Sequence, residues 1–261
     1  MKTVIAITAL LTAAAAIAQP SPTADPRFTR PGWEIGAQAA DYRYEEPEIA
    51  KLTGSRAGVV GAYTYTDQTH VFSKLEARIS YGRLKYEGSG TMNNVPDWIA
   101  EVRVLAGKDL PATDSLAFSP YLGFGYRFLF DDLRGYSDTG AAGYRRYSNY
   151  LYVPLGVTLR FRAGSQWTIA PNAEYDYFVH GTQKSMLSDI GVAGVGDVTN
   201  EQTVGYGYRG NLMFENAHWA FGPWLHYWKI KNSDVSCTTL FCGIEPENWT
   251  REWGAELRYR F

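Results

Sequence analysis

The last nine residues, Trp253 to Phe261 (WGAELRYRF), decide how the rest of the chain is read. Trp253, Ala255, Leu257, Tyr259 and Phe261 are apolar, and the residues between them, Gly254, Glu256, Arg258 and Arg260, are small or charged. Successive side chains of a strand point to opposite faces, so this segment has one greasy face and one charged face. A soluble sheet buries the first in a core and wets the second. A barrel in a membrane reverses the arrangement.

The other terminus bears on the compartment. Residues 1–20 (MKTVIAITALLTAAAAIAQP) place Lys2 before an apolar stretch from Val4 to Ile17, with small residues at Ala16 and Ala18. This is the pattern of a secretory signal peptide over residues 1–18, cleaved between Ala18 and Gln19. The stretch is alanine-rich and short of the ~20 apolar residues of a helical span. Residues 19–32 are proline-rich and read as an extended leader, which leaves 33–261 for the folded part. Without Lys2, the 25 Lys and Arg fall to 24 against 27 Asp and Glu, a net of −3 that excludes an electrostatic nucleic-acid binder. Tyr (19), Trp (8) and Gly (26) are abundant, which favours strands over helices.

Period-two alternation runs through nearly all of that part. In KLEARISYG, Leu75, Ala77, Ile79 and Tyr81 alternate with Lys74, Glu76, Arg78 and Ser80; FSPYLGFGYRFLF sets Phe118, Leu122, Phe124, Tyr126, Phe128 and Phe130 against Tyr121, Gly123, Gly125, Arg127 and Leu129. About ten such segments follow one another, most of them as long as the ~9–11 residues that a tilted strand needs to cross a bilayer. Connections alternate between long and short. DQTH, RAGS and NAH are short, while the loops placed at Asp131–Asn149, Gly181–Asn200 and Lys231–Asn248 are long; only KDLPATDS departs from the rule. Membrane barrels have short periplasmic turns and long outer loops. Only helices and closed barrels satisfy the backbone in lipid, so the fold class is an all-β, transmembrane, antiparallel up-and-down barrel of about ten strands.

The WGAELRYRF ending resembles the closing strand of Gram-negative outer-membrane proteins, with Phe261 last and apolar residues alternating before it. That resemblance implies export to the outer membrane, lipid and lipopolysaccharide as neighbours, and the barrel-assembly machinery as a partner that reads the last strand. Strand number and long outer loops also resemble the omptin family, ten-stranded barrels with a protease site at the outer rim. Omptins activate water with an Asp-x-Asp pair facing an Asp-x-His pair. This sequence has neither; Asp97 in NNVPDWIAE and the Asp176…His180 pair of DYFVH come nearest. A His/Ser pair of the kind lipid A deacylases use would fall to His180 and Ser185, which read as loop residues; His70 and His218 lie in turns and His226 in a Trp-rich strand. No catalytic residue, metal ligand set or cofactor is assigned.

Cys237 and Cys242 read as a loop-closing disulfide in an exported protein; two thiols could also belong to a metal site, but no further Cys or His lies nearby. The remaining constellation is the charged face of the strands: Lys74, Glu76, Arg78, Glu101, Arg103, Arg127, Arg160, Glu174, Asp176 and Arg209, with Glu256, Arg258 and Arg260. Two functions compete for it. A porin-like channel for ions or small solutes would use it as a lining, whereas a surface protein presenting loops to an external ligand would use it as a packed plug. Barrels of about eight strands are filled by side chains and open pores appear at 16–18, and a selectivity filter shows a ring of one sign. Mixed signs and ten strands favour the plug. An omptin-like protease with altered catalytic groups is the third reading.

Overall fold

A computed structural model describes residues 25–238 and 242–261; the signal peptide expected over residues 1–18 and the first part of the leader, 19–24, lie outside them. Ten long strands form one antiparallel barrel: β1 (Gly32–Glu46), β2 (Ala50–Thr66), β3 (Val71–Glu87), β4 (Thr91–Lys108), β5 (Leu116–Tyr136), β6 (Ala142–Ala163), β7 (Trp167–Ser185), β8 (Gly205–Glu215), β9 (Trp219–Ile230) and β10 (Asn248–Arg260). Each pairs with its neighbours in sequence, and β10 returns to β1 to close the wall.

The closing seam accounts for the terminal alternation. Its outward row sets Ile35 against Tyr259 and Ala37 against Leu257; its inward row sets Glu34 against Arg260 and Gln38 against Glu256. The Phe261 amide donates to the Trp33 carbonyl at 2.9 Å. Outward residues form an apolar band that faces lipid, with Phe124 67% exposed, while its neighbour in the next pair, Arg127, is fully buried in the lumen.

Turn chemistry fixes the short connections. Asp67 Oδ1 accepts the Thr69 and Val71 amides at 2.8 and 2.9 Å, and Asn216 Oδ1 accepts those of His218 and Trp219, both at 2.8 Å. Such Asx interactions replace the backbone partners a tight turn leaves unmet. The one longer connection on this side, Asp109–Ser115, carries the acceptor for the N-terminal leader. Asp109 receives the Thr29 amide at 2.7 Å and its hydroxyl at 2.8 Å, while Phe28 packs on His70 and Arg30 donates to the Phe261 carbonyl. The described part of the leader, residues 25–31, therefore runs across the mouth of the barrel, with a turn at Asp25–Phe28.

On the opposite side the long loops are shorter than their sequence suggests. β5 and β6 run for 21 and 22 residues, about twice a membrane crossing, and leave only Ser137–Ala141 between them. The loop expected at Asp131–Asn149 is mostly strand, the Gly181–Asn200 loop begins after Ser185, and His180 and Ser185 stand on β7. Backbone pairing continues past the edge of the lipid because polar side chains do not interrupt a ladder. Lys231–Glu247 does remain a loop, crossed by a small ladder at Ser236–Cys237 and Cys242–Gly243 and closed by the Cys237–Cys242 bond.

Phe124→Arg is expected to cost about 2–4 kcal/mol of folding stability in bilayers. Tyr136→Arg, on the projecting end of the same strand, should cost under about 0.5 kcal/mol. Urea unfolding in lipid vesicles measures both, and equal costs would contradict the depth assigned to these residues.

Candidate functional site

The lumen is filled in layers, and its inward charges are where the alternation placed them. Nearest the short turns, Arg260 and Arg258 hold Glu34 at 2.8 and 3.3 Å, and Arg160 holds Glu215 at 2.7 Å. Arg160 thus pairs with a residue of β8, while Glu174 and Asp176 both go to Arg209. Two polar cavities of about 100 and 80 Å³ occur here, sharing Glu76, Arg103 and Arg258 among their walls.

A denser ionic layer follows, and the smaller cavity reaches its residues Arg78, Glu101 and Arg209. Its cross-strand partners are set by register, with Glu76 opposite Arg103 and Arg78 opposite Glu101. Arg103 donates to Glu76 at 3.0 Å and to Glu174 at 2.5 Å, and Lys74 sits 2.8 Å from Glu76. Arg78 reaches Glu101 at 2.6 Å and, across the lumen, Glu252 at 3.1 Å; Arg127 shares Glu252 at 3.3 Å. Arg209 spans Asp176 at 2.6 Å and Glu101 at 2.9 Å, and Arg56 contacts Asp97. Arg56, Asp97 and Arg127 are wholly buried, and Glu252 nearly so. Their charge is sustained by one another, because burying an ion without a partner costs several kcal/mol.

The roof of this layer is aromatic. The Arg56 guanidinium lies 3.3 Å from the Tyr42 ring centre, Arg127 lies 5.6 Å from Trp228, and Arg209 lies 5.2 Å from Tyr152. Those rings belong to a buried apolar cluster that also contains Leu52, Leu84, Val95, Ile99, Leu129 and Phe178. Tyr152 also donates to Glu101 at 2.6 Å, so one ring bridges both layers. Glycine makes the space: a Cβ at Gly125 would stand 2.1 Å from the Tyr152 ring, and one at Gly156 would stand 2.4 Å from that of Tyr121. Of the two glycines of GFGY, Gly125 thus makes room for the Tyr152 ring, while a Cβ at Gly123 would stand 2.1 Å from the Val104 carbonyl.

A third polar group closes the outer end. Arg146 Nη2 lies 2.7 Å from Glu46 and contacts Glu245, which comes from the Lys231–Glu247 loop; Tyr44 donates to Glu46 at 2.6 Å. Burial beside Glu46 pushes the Glu245 carboxyl up to about 7, with Arg146 opposing the shift. Beside this group is a cavity of about 170 Å³ walled by Ile49, Tyr86, Met92 and Leu133. The two outer loops are cross-tied, since Asn200 donates to the Asp234 and Gly243 carbonyls and the Glu201 amide donates to Asp234 at 2.6 Å. Asp189 of the first loop is clamped by Arg145 at 2.8 Å, and these hydrogen bonds hold its carboxyl below the usual range.

No histidine joins a catalytic arrangement among the described residues. His70 and His218 stack in turns on Phe28 and Tyr259. His180 is on β7 opposite Leu151, away from the lumen face of Asp176, and His226 packs on Trp224 with its Nδ1 unpaired. No group of three or more His, Cys, Asp or Glu suited to a metal ion occurs among the described residues.

The architecture is that of outer-membrane barrels of ten strands. The outer membrane protease OmpT from Escherichia coli matches it with a TM-score of 0.56 at 12% identity, over 92% of this chain and 99% of the other. OprG from Pseudomonas aeruginosa matches over 91% of this chain and 100% of its own, with a TM-score of 0.42 and 10% identity. Ail of Yersinia pestis does so over 88% and 99%, with a TM-score of 0.36 and 14% identity. No protein-family model and no curated protein matches the chain.

Three outcomes are expected from this geometry. Glu252→Ala takes from Arg127 its ion-pair partner and leaves Arg78 with Glu101 alone, and should cost roughly 3–5 kcal/mol, against ~0–1 kcal/mol if water filled the layer. Urea titration in bilayers separates the two values. Cys237 and Cys242 should take up no maleimide on intact cells without reductant. For Glu245, a folded-state value above the ordinary carboxylate range favours the protonated form. The stability it contributes is complete below about pH 4.5 and is lost as pH rises through about 7. The protection factors of the Lys231–Glu247 amides, with the intrinsic pH dependence of exchange divided out, should fall across that window, and Glu245→Gln should flatten the dependence.

Proposed function

We propose that the chain is a non-conducting protein of the Gram-negative outer membrane that presents its projecting rim and the Lys231–Glu247 loop to external partners. One observation carries this reading. The lumen is interrupted by an apolar layer, with Leu84, Ile99 and Tyr152 at 0% exposure, set directly on desolvated ion pairs. An ion crossing it would have to dehydrate at the rings and displace arginines from their carboxylates. Hydrophobic constrictions block conduction by dewetting. The rim supports the other half of the reading: strands of twice the crossing length and cross-tied loops make a rigid platform, which loses little entropy when a partner docks.

A second reading, an enzyme with groups unlike those of the omptins, is favoured by the Glu46–Glu245 pair. Two carboxylates on one arginine, with one pushed up to about 7, resemble an acid/base couple beside a cavity. Both carboxylates of that couple accept from Tyr44 and Arg146, and the Glu245 amide donates to the Ser233 hydroxyl within the loop, which supports a latch in preference to a catalyst.

Planar bilayers and a panel of peptide substrates distinguish the readings. The wild-type barrel should show no steady conductance and no cleavage. Large, steady single-channel currents would overturn the sealed-lumen reading. Cleavage abolished by Glu245→Gln would install the enzyme in its place.

A further inference from the structure

The chamber beneath the leader carries a hydrogen-bond pattern that the ion pairs of the lumen do not use up. The walls of its cavity of about 100 Å³ present six cations: Arg30 of the leader, Lys74 of β3, Arg103 of β4, Arg160 of β6, and Arg258 and Arg260 of β10. Four glutamates share these walls, Glu34, Glu76, Glu215 and Glu256. Arg103 also has Glu174, and Asp109 lies behind the leader with its oxygens taken by Thr29 and Ser119. Charge is thus close to balanced. What the chamber lacks is acceptors.

The shortage is visible atom by atom. A guanidinium has five N–H donors and no acceptor, and here Arg160 and Arg260 meet on one oxygen of Glu215, at 2.7 and 3.3 Å. Arg160 Nε, Arg258 Nε and Arg30 Nη1 are buried without a hydrogen-bond partner, and Arg160 as a whole is only 9% exposed. Among the described residues of this wall, no buried side-chain acceptor is left unpartnered in the same way. Arg30 makes one side-chain hydrogen bond, from Nη2 to the Phe261 carbonyl at 3.0 Å. Burial and the neighbouring Arg260 both pull its guanidinium below the ordinary value, with Glu34 and Glu215 opposing the shift. Water supplies acceptors but no counter-charge. An anion supplies both.

We propose that the chamber is a binding site for a small divalent oxyanion of the periplasm, held between Arg30 of the leader and Arg160 of β6. Their unpartnered N–H groups give charge-assisted bonds to its oxygens, whereas a cation would find only donors free. The cavity of about 100 Å³ is several times the ~10–15 Å³ that one water needs, so a tetrahedral oxyanion fits with water beside it. Thr29 and Arg30 belong to its wall, so the anion ties the leader to the strands in addition to the hydrogen bonds at Asp109. The site needs no external partner and stands whether or not the lumen conducts. Only the compartment named for the anion rests on the membrane orientation proposed above.

Isothermal titration calorimetry on the folded full chain in neutral detergent micelles tests it, with sulfate as the probe in a phosphate-free buffer. Sulfate should bind once per chain, and perchlorate, of the same shape but with a single charge, about tenfold or more weakly. Arg30→Gln and Arg160→Gln should each weaken sulfate binding by about tenfold or more, the loss expected for a charge-assisted hydrogen bond, while Arg134→Gln at the outer rim leaves it unchanged. Sulfate should also slow hydrogen exchange at the Thr29 amide, and Arg160→Gln should remove that effect. Failure of the wild type to bind sulfate at low ionic strength, or equal affinity for sulfate and perchlorate, would overturn the site. Full sulfate affinity in Arg30→Gln would do so as well. That variant alters only the leader, outside the ten strands, so its outcome does not depend on refolding of the barrel.

Discussion

The layer of arginines between carboxylates below and aromatic rings above is the constraint on which the rest of the molecule depends. Ten tilted strands enclose a lumen too wide for the walls to touch and too narrow for an open channel. Long side chains must meet in the middle, and arginine does so with five donors and a flat apolar face. Arg127 shows both uses, with Glu252 on one side and Trp228 on another. Remove the rings and the ions admit water. Remove the carboxylates and the rings rest on bare charge. The two layers are therefore one unit, and Tyr152, bonded to Glu101 while packed on Trp228, is its rivet.

Glycine belongs to the same constraint. Tyr152 reaches the ionic layer only because Gly125 leaves its ring room, and Tyr121 reaches Glu174, at 2.7 Å, over Gly156. In a strand interior glycine weakens the wall, and this cost is accepted where an aromatic must lie flat against the backbone. A Gly125→Ala change would hence act beyond its own position, by lifting the Tyr152 hydroxyl from Glu101.

Much of this was legible in the alternation. Strand number, the facing of Leu122, Phe124 and Tyr126, and the inward set from Lys74 to Arg209 follow from a period of two, which lipid and lumen enforce on every strand. Adjacency of β3 and β4 lets their opposite charges meet in whichever register applies, and the observed register makes the pairs Glu76–Arg103 and Arg78–Glu101. Contacts across the lumen depend on shear and tilt. Arg160 meets Glu215, and the partnership of Arg78 with Glu252 carries no mark in either segment. Leu52 and Val95 were hidden for another reason. They lie in polar, glycine-containing stretches that read as loops, and a ladder that continues above the membrane needs no apolar face to announce it. The same error placed Ser185 in a loop.

The two ends of the lumen are closed by different physics, and the difference sets a direction. On the short-turn side the closure is polar: the leader is held by hydrogen bonds at Asp109, and behind it are cavities walled by Glu76, Arg103 and Arg258. Water can exchange there without exposing apolar surface. On the long-loop side the closure is the ring cluster, covered by the Arg146 group and the loop that carries Glu245. Opening it would wet Leu52, Leu84, Ile99 and Trp228 together, at roughly 25 cal/mol for every Å² of apolar surface. Hydration from the leader side can thus advance only as far as the arginines. The ionic layer takes its partial solvation from one end and its dry roof from the other, and this polarity supports the proposed sealing of a charged lumen.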